Sequence, residues 1–223
     1  MVLATAEVPG TTFRLIPSQF PPIAAFDVVT SAGDLEAVME LEGWTNDRLV
    51  VERLDRLPRD QWVFGVANAS IVMASFLHVS PDGMRFNTGA LGAWYAALAL
   101  STAAAEVAHH LRREAVFRRR REIRRKYRTY AATLHGSYVD IRGPGAGHHD
   151  ALSPGSYAAS QSLGETIRAS AHAGIINGSV RHAGGTCVVA YRPHNVRDVT
   201  LSTHYEITAP LEGRIVVRTL NRS

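Results

Sequence analysis

The chain has 223 residues, 46% hydrophobic and 20% charged, which excludes an intrinsically disordered or collagen-like protein. The single cysteine, Cys187, excludes an internal disulfide framework and any zinc module built on paired cysteines. The net charge of +4 is unevenly spread, because residues 81–131 carry 11 basic and 4 acidic side chains whereas residues 1–80 carry 5 basic and 10 acidic ones.

The N-terminal third of the sequence predicts one extended segment and two helices. Residues 13–16 are expected to be extended, and apolar residues at helical spacing predict a short helix between Asp34 and Gly43. A second helix is expected from about Asn68 to Leu77. The first residues lack a basic region followed by an apolar one, so no secretory signal is expected and the protein is expected to be cytoplasmic.

The middle of the sequence contains its longest uncharged stretch, residues 86–105. The stretch is long enough to span a bilayer, but it is rich in alanine, glycine and hydroxyl residues, so no membrane association is expected. Two short strands are predicted at 84–87 and 92–97, with a glycine turn between them. Ser101 is expected to cap an alanine-rich helix that ends near Arg113.

The second half of the sequence alternates irregularly between strand and helix patterns. Residues 122–141 favour β-structure, and the Ser153-Pro154 pair is expected to begin a helix that ends near Gly174. Irregular alternation favours a single α+β domain over a doubly wound sheet. The last strands are expected at Gly174–Val180, Cys187–Arg192, His204–Thr208 and Arg214–Leu220.

Two kinds of short motif, a glycine cluster and paired histidines, do not indicate a binding site. The glycine cluster at 143–147 lacks the spacing of a phosphate loop and contains a proline that removes a backbone donor, so a turn is predicted. The paired histidines, His109-His110 and His148-His149, have no carboxylate at a metal-ligand spacing, so no metal site is expected.

A basic run accounts for most of the excess positive charge. It contains eight cations in the eleven residues from Arg118 to Arg128. Such a run is typical of nucleic-acid binding or of docking to an acidic protein partner, but equally of a solvent-exposed helix end that leads into an edge strand. Few aromatic residues interleave it and no helix-turn-helix pattern follows, so sequence-specific DNA binding is not expected.

The segment from Arg85 to Glu106 is chemically the most informative. A planar guanidinium suits a diphosphate, the face of Tyr95 suits an aromatic ring, and a buried carboxylate suits a developing cation. The spacing alone leaves an ordinary alternative open, in which Glu106 is an exposed helix acid close to His109 and His110.

The chain resembles RES-domain proteins over about residues 13–193. The resemblance lies in an opening stretch, a core motif and a late serine-bearing motif. These comprise Phe13–Ser18 with Pro21-Pro22 and Thr45–Leu49; Met84–Gly89 with Gly92–Ala97 and Thr102–Glu106; and Gly174–Arg181 with Gly184–Val189.

The resemblance implies an α+β fold with a mixed or split β core flanked by helices, similar to ADP-ribosyltransferases. Residues 13–193 would form the RES domain, and the strands in 194–223 would belong to the same domain. Characterised RES proteins are toxins that consume NAD and release nicotinamide. Their partners are antitoxins with a Xre-like DNA-binding domain that cover the NAD pocket, and a homodimer within that complex is compatible with the resemblance.

Matched by position, the resemblance implies a site of five residues. Glu106 corresponds to the catalytic glutamate and Arg85 to the arginine that contacts NAD. Tyr95 and Ser179 correspond to pocket residues, and Arg14 matches an arginine near the family's N-terminus. The implied reaction is cleavage of the nicotinamide–ribose bond with phosphate or water as acceptor, without a metal.

One position departs from the family pattern, because many relatives have a tyrosine where this chain has Asn177. This departure leaves open a RES-like binding protein without catalytic activity. A protein ADP-ribosyltransferase that uses NAD is a second alternative, because the site for the acceptor of ADP-ribose need not show in the NAD-binding motif.

Overall fold

A computed structural model describes residues 3–19, 24, 26–31, 33–34, 37, 54–143, 149–153 and 155–220. The strands are β1 (Thr5–Ala6), β2 (Thr11–Pro17), β3 (Trp94–Ala97), β4 (Glu122–Leu134), β5 (Tyr138–Asp140), β6 (Gly174–Gly178), β7 (Thr186–Ala190), β8 (Val196–Pro210) and β9 (Val216–Leu220). The helices are α1 (Ala69–Leu77), α2 (Leu100–Phe117) and α3 (Ala158–Arg168), with short 3₁₀ turns at Arg59–Gln61, His149–Leu152 and Pro193–Asn195.

Within the described residues, nine strands form one sheet in the order β1-β5-β6-β7-β3-β2-β4-β8-β9. The β5–β6 pair is parallel, and the other pairs of described strands are antiparallel, so the sheet is mixed. β8 and β9 extend the sheet beyond residue 193. The expectation of a single α+β domain with a mixed β core flanked by helices is confirmed.

Side chains alternate between the two faces of the sheet, as the period of a strand requires. In β3, Trp94 and Ala96 pack in a core that includes residues of α1, whereas Tyr95 points to the opposite face. That opposite face is covered by α3, through Ile167, and by α2, through Leu111. The central strands therefore present a second row of side chains toward α2 and α3.

Several predicted elements are confirmed, namely the extended segment in β2, the helix α1 and the β-structure in β4 and β5. Others are wrong. Residues 84–87 form a tight turn closed by a bridge between Met84 and Asn87 instead of a strand. Helix α2 begins after Ala99 without a side-chain cap, so Ser101 is not its cap, and it continues past Arg113 to Phe117.

Helix α3 also differs from its prediction. It begins at Ala158, so Ser153 is not its N-cap, and it ends at Arg168, whereas Gly174 begins β6. Ser153 instead follows a 3₁₀ turn, and its carbonyl accepts a hydrogen bond from Arg85.

Some predicted features lie outside the described residues. These are most of the helix predicted between Asp34 and Gly43, the Pro21-Pro22 and Thr45–Leu49 motifs, the interior of the 143–147 turn, and Pro154. Among the helices that are described, none is both long enough and apolar enough to cross a membrane.

Candidate active site

A cavity of about 580 Å³ opens on the sheet face that carries Tyr95. This volume is typical of sites for small molecules. Its walls come from β2, β3, β4, β6, β7, α2, the end of α1 with the residues that follow it, and the loop of residues 84–93. The wall residues that bear on its chemistry are Arg14, Arg85, Tyr95, Glu106, Asn177 and Arg181.

The turn that carries Arg85 is anchored from the sheet. The Tyr95 hydroxyl accepts a hydrogen bond from the Phe86 N–H at 3.0 Å and donates one to Asn87 Oδ1 at 2.7 Å. The Tyr191 hydroxyl donates to the Phe86 carbonyl at 2.7 Å. Burial raises the pKa of Tyr95, so its hydroxyl keeps its proton and acts as both donor and acceptor.

Helix α3 supports the same loop from the other side. Glu165 Oε1 accepts a hydrogen bond from the Thr88 N–H at 2.8 Å, and Gln161 Nε2 donates to the Met84 carbonyl at 3.0 Å. Gly164 allows this close approach, because a Cβ at that position would lie 2.0 Å from the Phe86 carbonyl oxygen. The loop is therefore held by backbone and side-chain contacts from two elements.

The Arg85 guanidinium projects from this loop into the cavity wall. It donates to the Ser153 carbonyl at 2.9 Å and lies over the Tyr157 ring, 4.8 Å from the ring centroid. No described carboxylate lies within ion-pairing distance of it. Its positive charge is positioned but not neutralised, which leaves it available to an anion.

Two further arginines in the cavity wall also lack an ion-pair partner among the described residues. Arg14 donates to the Tyr95 carbonyl at 3.0 Å and stacks on Trp94, while its Nε is buried without a hydrogen bond. Burial lowers the pKa of Arg14 to about 10, so it remains cationic at neutral pH. Arg181 is partly buried and follows β6.

Glu106 lies on α2 and faces the end of β6. The Ser179 hydroxyl donates to Glu106 Oε1 at 2.6 Å, and the Cys187 thiol lies 3.6 Å from the same oxygen. Burial, reinforced by Glu106, raises the pKa of Cys187 to about 12, so the thiol stays protonated. Glu106 Oε2 has no hydrogen-bond donor among the described residues and remains able to accept one.

The hydrogen-bonding capacity of Ser179 is used entirely within the protein. A hydroxyl has one donor and two acceptor positions. Its donor bonds to Glu106, and its oxygen accepts from the N–H groups of Arg181 and His182 at 3.1 and 3.0 Å. Ser179 therefore fixes the position of Glu106 from behind and has no capacity left for a ligand.

The positive charge of the cavity also affects the pKa of His109, which lies on α2 about one helical turn after Glu106. Burial, followed by the positive charge of Arg181, lowers the pKa of His109 to about 4. His109 is consequently neutral at physiological pH, and the arginines supply the positive charge of the cavity.

The basic run lies mainly outside the cavity. Glu114 Oε1 forms ion pairs at 2.9 Å with both Arg118 and Arg125, and Arg125 also lines the cavity. Residues 119–121 are exposed at the turn between α2 and β4. Apart from Arg125, the cations of the run thus lie outside the cavity.

All five residues expected from the sequence lie at one place. Arg14, Arg85, Tyr95 and Glu106 line the cavity, and Ser179 lies directly behind Glu106. Arg181 was missed, although it belongs to the late motif that carries Ser179. Its role depends on the turn after β6, which the Ser179 N–H closes by bonding to the Gly185 carbonyl at 2.8 Å.

Comparisons with known proteins complete the description. The RES domain family matches residues 53–209. The uncharacterized protein y4oC of Sinorhizobium fredii is 34% identical over 133 residues, a match that covers 58% of this chain and 56% of that protein. This chain thus spans little more than half of that relative. A chain in the crystal structure of the M. tuberculosis MbcT–MbcA toxin–antitoxin complex is 18% identical, with a TM-score of 0.43, over 56% of this chain and 72% of that chain.

Proposed function

This chain belongs to the RES domain family, and from that premise we propose that it cleaves NAD between nicotinamide and ribose as the toxin of a toxin–antitoxin pair. The acceptor of the ADP-ribosyl group is phosphate or water. The proposal rests on the family and on the chemistry of the cavity.

The observation that carries this proposal is the combination of charges in one cavity. Among the described residues, Arg14, Arg85 and Arg181 have no ion-pair partner and one oxygen of Glu106 has no hydrogen-bond donor. NAD matches this combination, because its diphosphate is an anion and its ribose becomes cationic as the glycosidic bond breaks. Guanidinium groups bind phosphates through paired N–H donors.

Glu106 acts at the reacting carbon. When the bond between ribose C1′ and the pyridinium nitrogen breaks, its electron pair leaves with nicotinamide, which becomes neutral, and the ribose gains oxocarbenium character. The Glu106 carboxylate stabilises that positive charge, and an oxygen of phosphate or water then adds to C1′, with the proton of the attacking oxygen released to solvent. Ser179 holds the carboxylate in place, so little reorganisation is needed as the charge develops.

The arginines and Tyr95 position the substrate. Arg85 binds the diphosphate while its loop is anchored through the Tyr95 hydroxyl, and the ring of Tyr95 packs against the nicotinamide. Arg14 contributes further positive charge from the floor of the cavity. This arrangement restrains the ribose next to Glu106, which lowers the entropic part of the barrier.

We further propose that an antitoxin with a Xre-like DNA-binding domain covers the cavity and keeps NAD out. The support for this partner is the resemblance to RES toxins. The excess of arginines on one protein surface is suited to an acidic segment of such a partner.

The test is an assay of nicotinamide release by the purified protein, made by cell-free synthesis without antitoxin. We expect NAD to be consumed, with a product mass of ADP-ribose in phosphate-free buffer or of its phosphate ester when phosphate is the acceptor. ADP-ribose attached to protein would instead identify a protein ADP-ribosyltransferase. Undiminished NAD at high protein concentration would overturn the proposal.

A further inference from the structure

Two side-chain hydrogen bonds join the turn of residues 179–185 to helix α2. In the first, the Ser179 hydroxyl donates to Glu106 Oε1 at 2.6 Å. In the second, Thr102 Oγ1 and His182 Nδ1 lie 2.8 Å apart. Thr102 precedes Glu106 by four residues on α2, so their side chains lie on the same side of the helix, about one turn apart. The turn is therefore attached to α2 at two neighbouring points.

Backbone hydrogen bonds connect these two points within the turn. The Ser179 oxygen accepts from the His182 N–H at 3.0 Å, and the His182 carbonyl accepts from the Gly185 N–H at 2.9 Å. The Gly185 carbonyl accepts in turn from the Ser179 N–H at 2.8 Å. The result is a closed ring of hydrogen bonds between the turn and the helix, which passes through Thr102, His182, Ser179 and Glu106.

The turn also packs directly on Thr102. A Cβ on Gly185 would lie 2.6 Å from Thr102 Oγ1 and 2.8 Å from Thr102 Cγ2, so glycine is required for this close approach. Thr102 is fully buried, and its hydroxyl has no other hydrogen bond to a described residue. Because buried donors in folded proteins are almost always paired, we assign the Thr102 hydroxyl as the donor to His182 Nδ1.

The contact lies outside the cavity. Neither Thr102 nor His182 is among the described residues that line it, so their effect on a bound ligand is indirect. Loss of their hydrogen bond would remove one of the two attachments of the turn, and the Ser179 hydroxyl would be free to shift with the turn. A shift of about 1 Å at a reacting centre is enough to slow catalysis by up to about 100-fold.

We propose that the Thr102–His182 hydrogen bond positions the catalytic carboxylate. It holds the turn where the Ser179 hydroxyl meets Glu106 Oε1, which leaves Glu106 Oε2 for the substrate. This inference rests on the proposed function, since that function places the reacting carbon at Glu106. Thr102 and His182 are thus positioning residues that act through Ser179.

The first experiment compares Thr102→Val, which keeps the shape of the side chain but removes the hydroxyl, with Thr102→Ser, which keeps the hydroxyl. We expect Thr102→Val to lower kcat for nicotinamide release about tenfold and to change KM for NAD by less than about twofold, because the cavity wall is unchanged. Thr102→Ser should retain kcat within about twofold. A wild-type kcat in Thr102→Val would overturn the inference.

His182 tests the same contact from the turn, where the side chain is only half-buried. In His182→Asn the side-chain oxygen can replace Nδ1 as the acceptor, whereas His182→Ala has no acceptor. We expect His182→Asn to retain kcat within about twofold and His182→Ala to lose about tenfold. Equal kcat values for these two variants would count against the proposal, and this comparison remains available if Thr102→Val does not fold.

Thr166→Val is the matched control. It makes the same substitution on α3, where an exposed threonine hydroxyl donates to the Ser162 carbonyl at 2.9 Å within the helix. Because this hydroxyl has no hydrogen bond to the turn of residues 179–185 or to α2, Thr166→Val should leave both kcat and KM unchanged.

A double-mutant cycle separates positioning of Glu106 from a general loss of stability. Ser179→Ala opens the same ring at its other end. Thr102→Val should therefore lower kcat about tenfold in the wild-type background but by less than about twofold in the Ser179→Ala background. All rates are measured well below the thermal midpoints of the four proteins. Effects that simply multiply would show that Thr102 acts independently of Ser179, and the inference would be wrong.

The results also distinguish failure of this inference from failure of the proposed function. If the wild type releases nicotinamide while Thr102→Val retains its kcat, or while the two effects multiply, the inference is wrong and the proposed function stands. If the wild type releases no nicotinamide, both are wrong.

Discussion

The molecule has two regions rich in arginine, and they differ in whether carboxylates pair with the arginines. In the cavity, Arg14, Arg85 and Arg181 lie against aromatic rings, backbone carbonyls or the turn after β6, and no described carboxylate neutralises them. At the corner between α2 and β4 (residues 118–126), Glu114 pairs with both Arg118 and Arg125, and Arg125 also lines the cavity.

The difference shows why a count of basic residues is a poor guide to function. The corner contributes more cations, but its arginines are paired with carboxylates or surrounded by water, where an added charge has little effect. The cavity contributes fewer, but they lie in a confined space where their charge acts strongly on a ligand. The proposed function therefore rests on the enclosure of these charges in a cavity and not on the net charge of the protein.

The largest effect is expected from Glu106→Gln. The amide keeps the shape of the side chain and an oxygen for the Ser179 hydroxyl, but it loses the negative charge that we propose stabilises the ribose cation. We expect nicotinamide release to fall by about 100- to 1000-fold while NAD still binds. Glu122→Gln at the corner is the matched control and should retain full activity; equal rates for the two variants would contradict the role of Glu106.

Replacing one arginine from each region tests the comparison itself. Arg85→Met keeps the length of the side chain but removes a guanidinium that we assign to the diphosphate, so NAD binding should weaken about 10- to 100-fold. Arg120→Met at the corner should change it by less than about twofold at 0.15 M salt, because exposed charges are screened there. Calorimetry in the Glu106→Gln background measures both, and similar losses would place the binding site outside the cavity.

A smaller effect is expected from Tyr95→Phe, which leaves the ring in place but breaks the two hydrogen bonds through which Tyr95 anchors the Arg85 loop. The Phe86 N–H and Asn87 Oδ1 would lose their partner, so unfolding free energy should fall by about 1–3 kcal/mol. Tyr205→Phe removes a hydroxyl that has no hydrogen bond to a described residue and should be nearly neutral in chemical denaturation. Equal stabilities would show that the anchor is not needed.

The smallest effect concerns pH. The pKa of His109 is lowered from 6.5 to about 4 in the folded protein, by burial and then by Arg181. As pH falls from about 6.5 to 4, the unfolded chain takes up a proton at this residue that the folded chain does not, so stability decreases over that window. The thermal midpoint should therefore drop less on acidification in His109→Gln than in the wild type, and identical pH profiles would exclude this contribution.

Much of the sheet could be predicted from the sequence because alternation and β-favouring residues are local signals. The helix α1 and the strands β2 and β4 follow from such patterns. The turn at 84–87 could not be predicted, because its shape depends on Tyr95, Tyr191 and the close approach of Gly164, which are distant in sequence or belong to a different element.

The candidate site could likewise be predicted only in part from the sequence. The resemblance to RES-domain proteins identified Arg85, Glu106 and Ser179, which the fold does bring together. The sequence could not show that the Ser179 hydroxyl is fully used by Glu106 and two backbone N–H groups, nor that His182 on the same turn bonds to Thr102. Both depend on how the turn after β6 packs against α2.

The most direct test is a crystal structure of the Glu106→Gln protein soaked with NAD. The account predicts the dinucleotide in the cavity, with its diphosphate within hydrogen-bonding distance of Arg85 and its nicotinamide ribose beside residue 106. NAD bound instead at residues 119–121 of the corner, or a cavity that remains empty at saturating NAD, would contradict it.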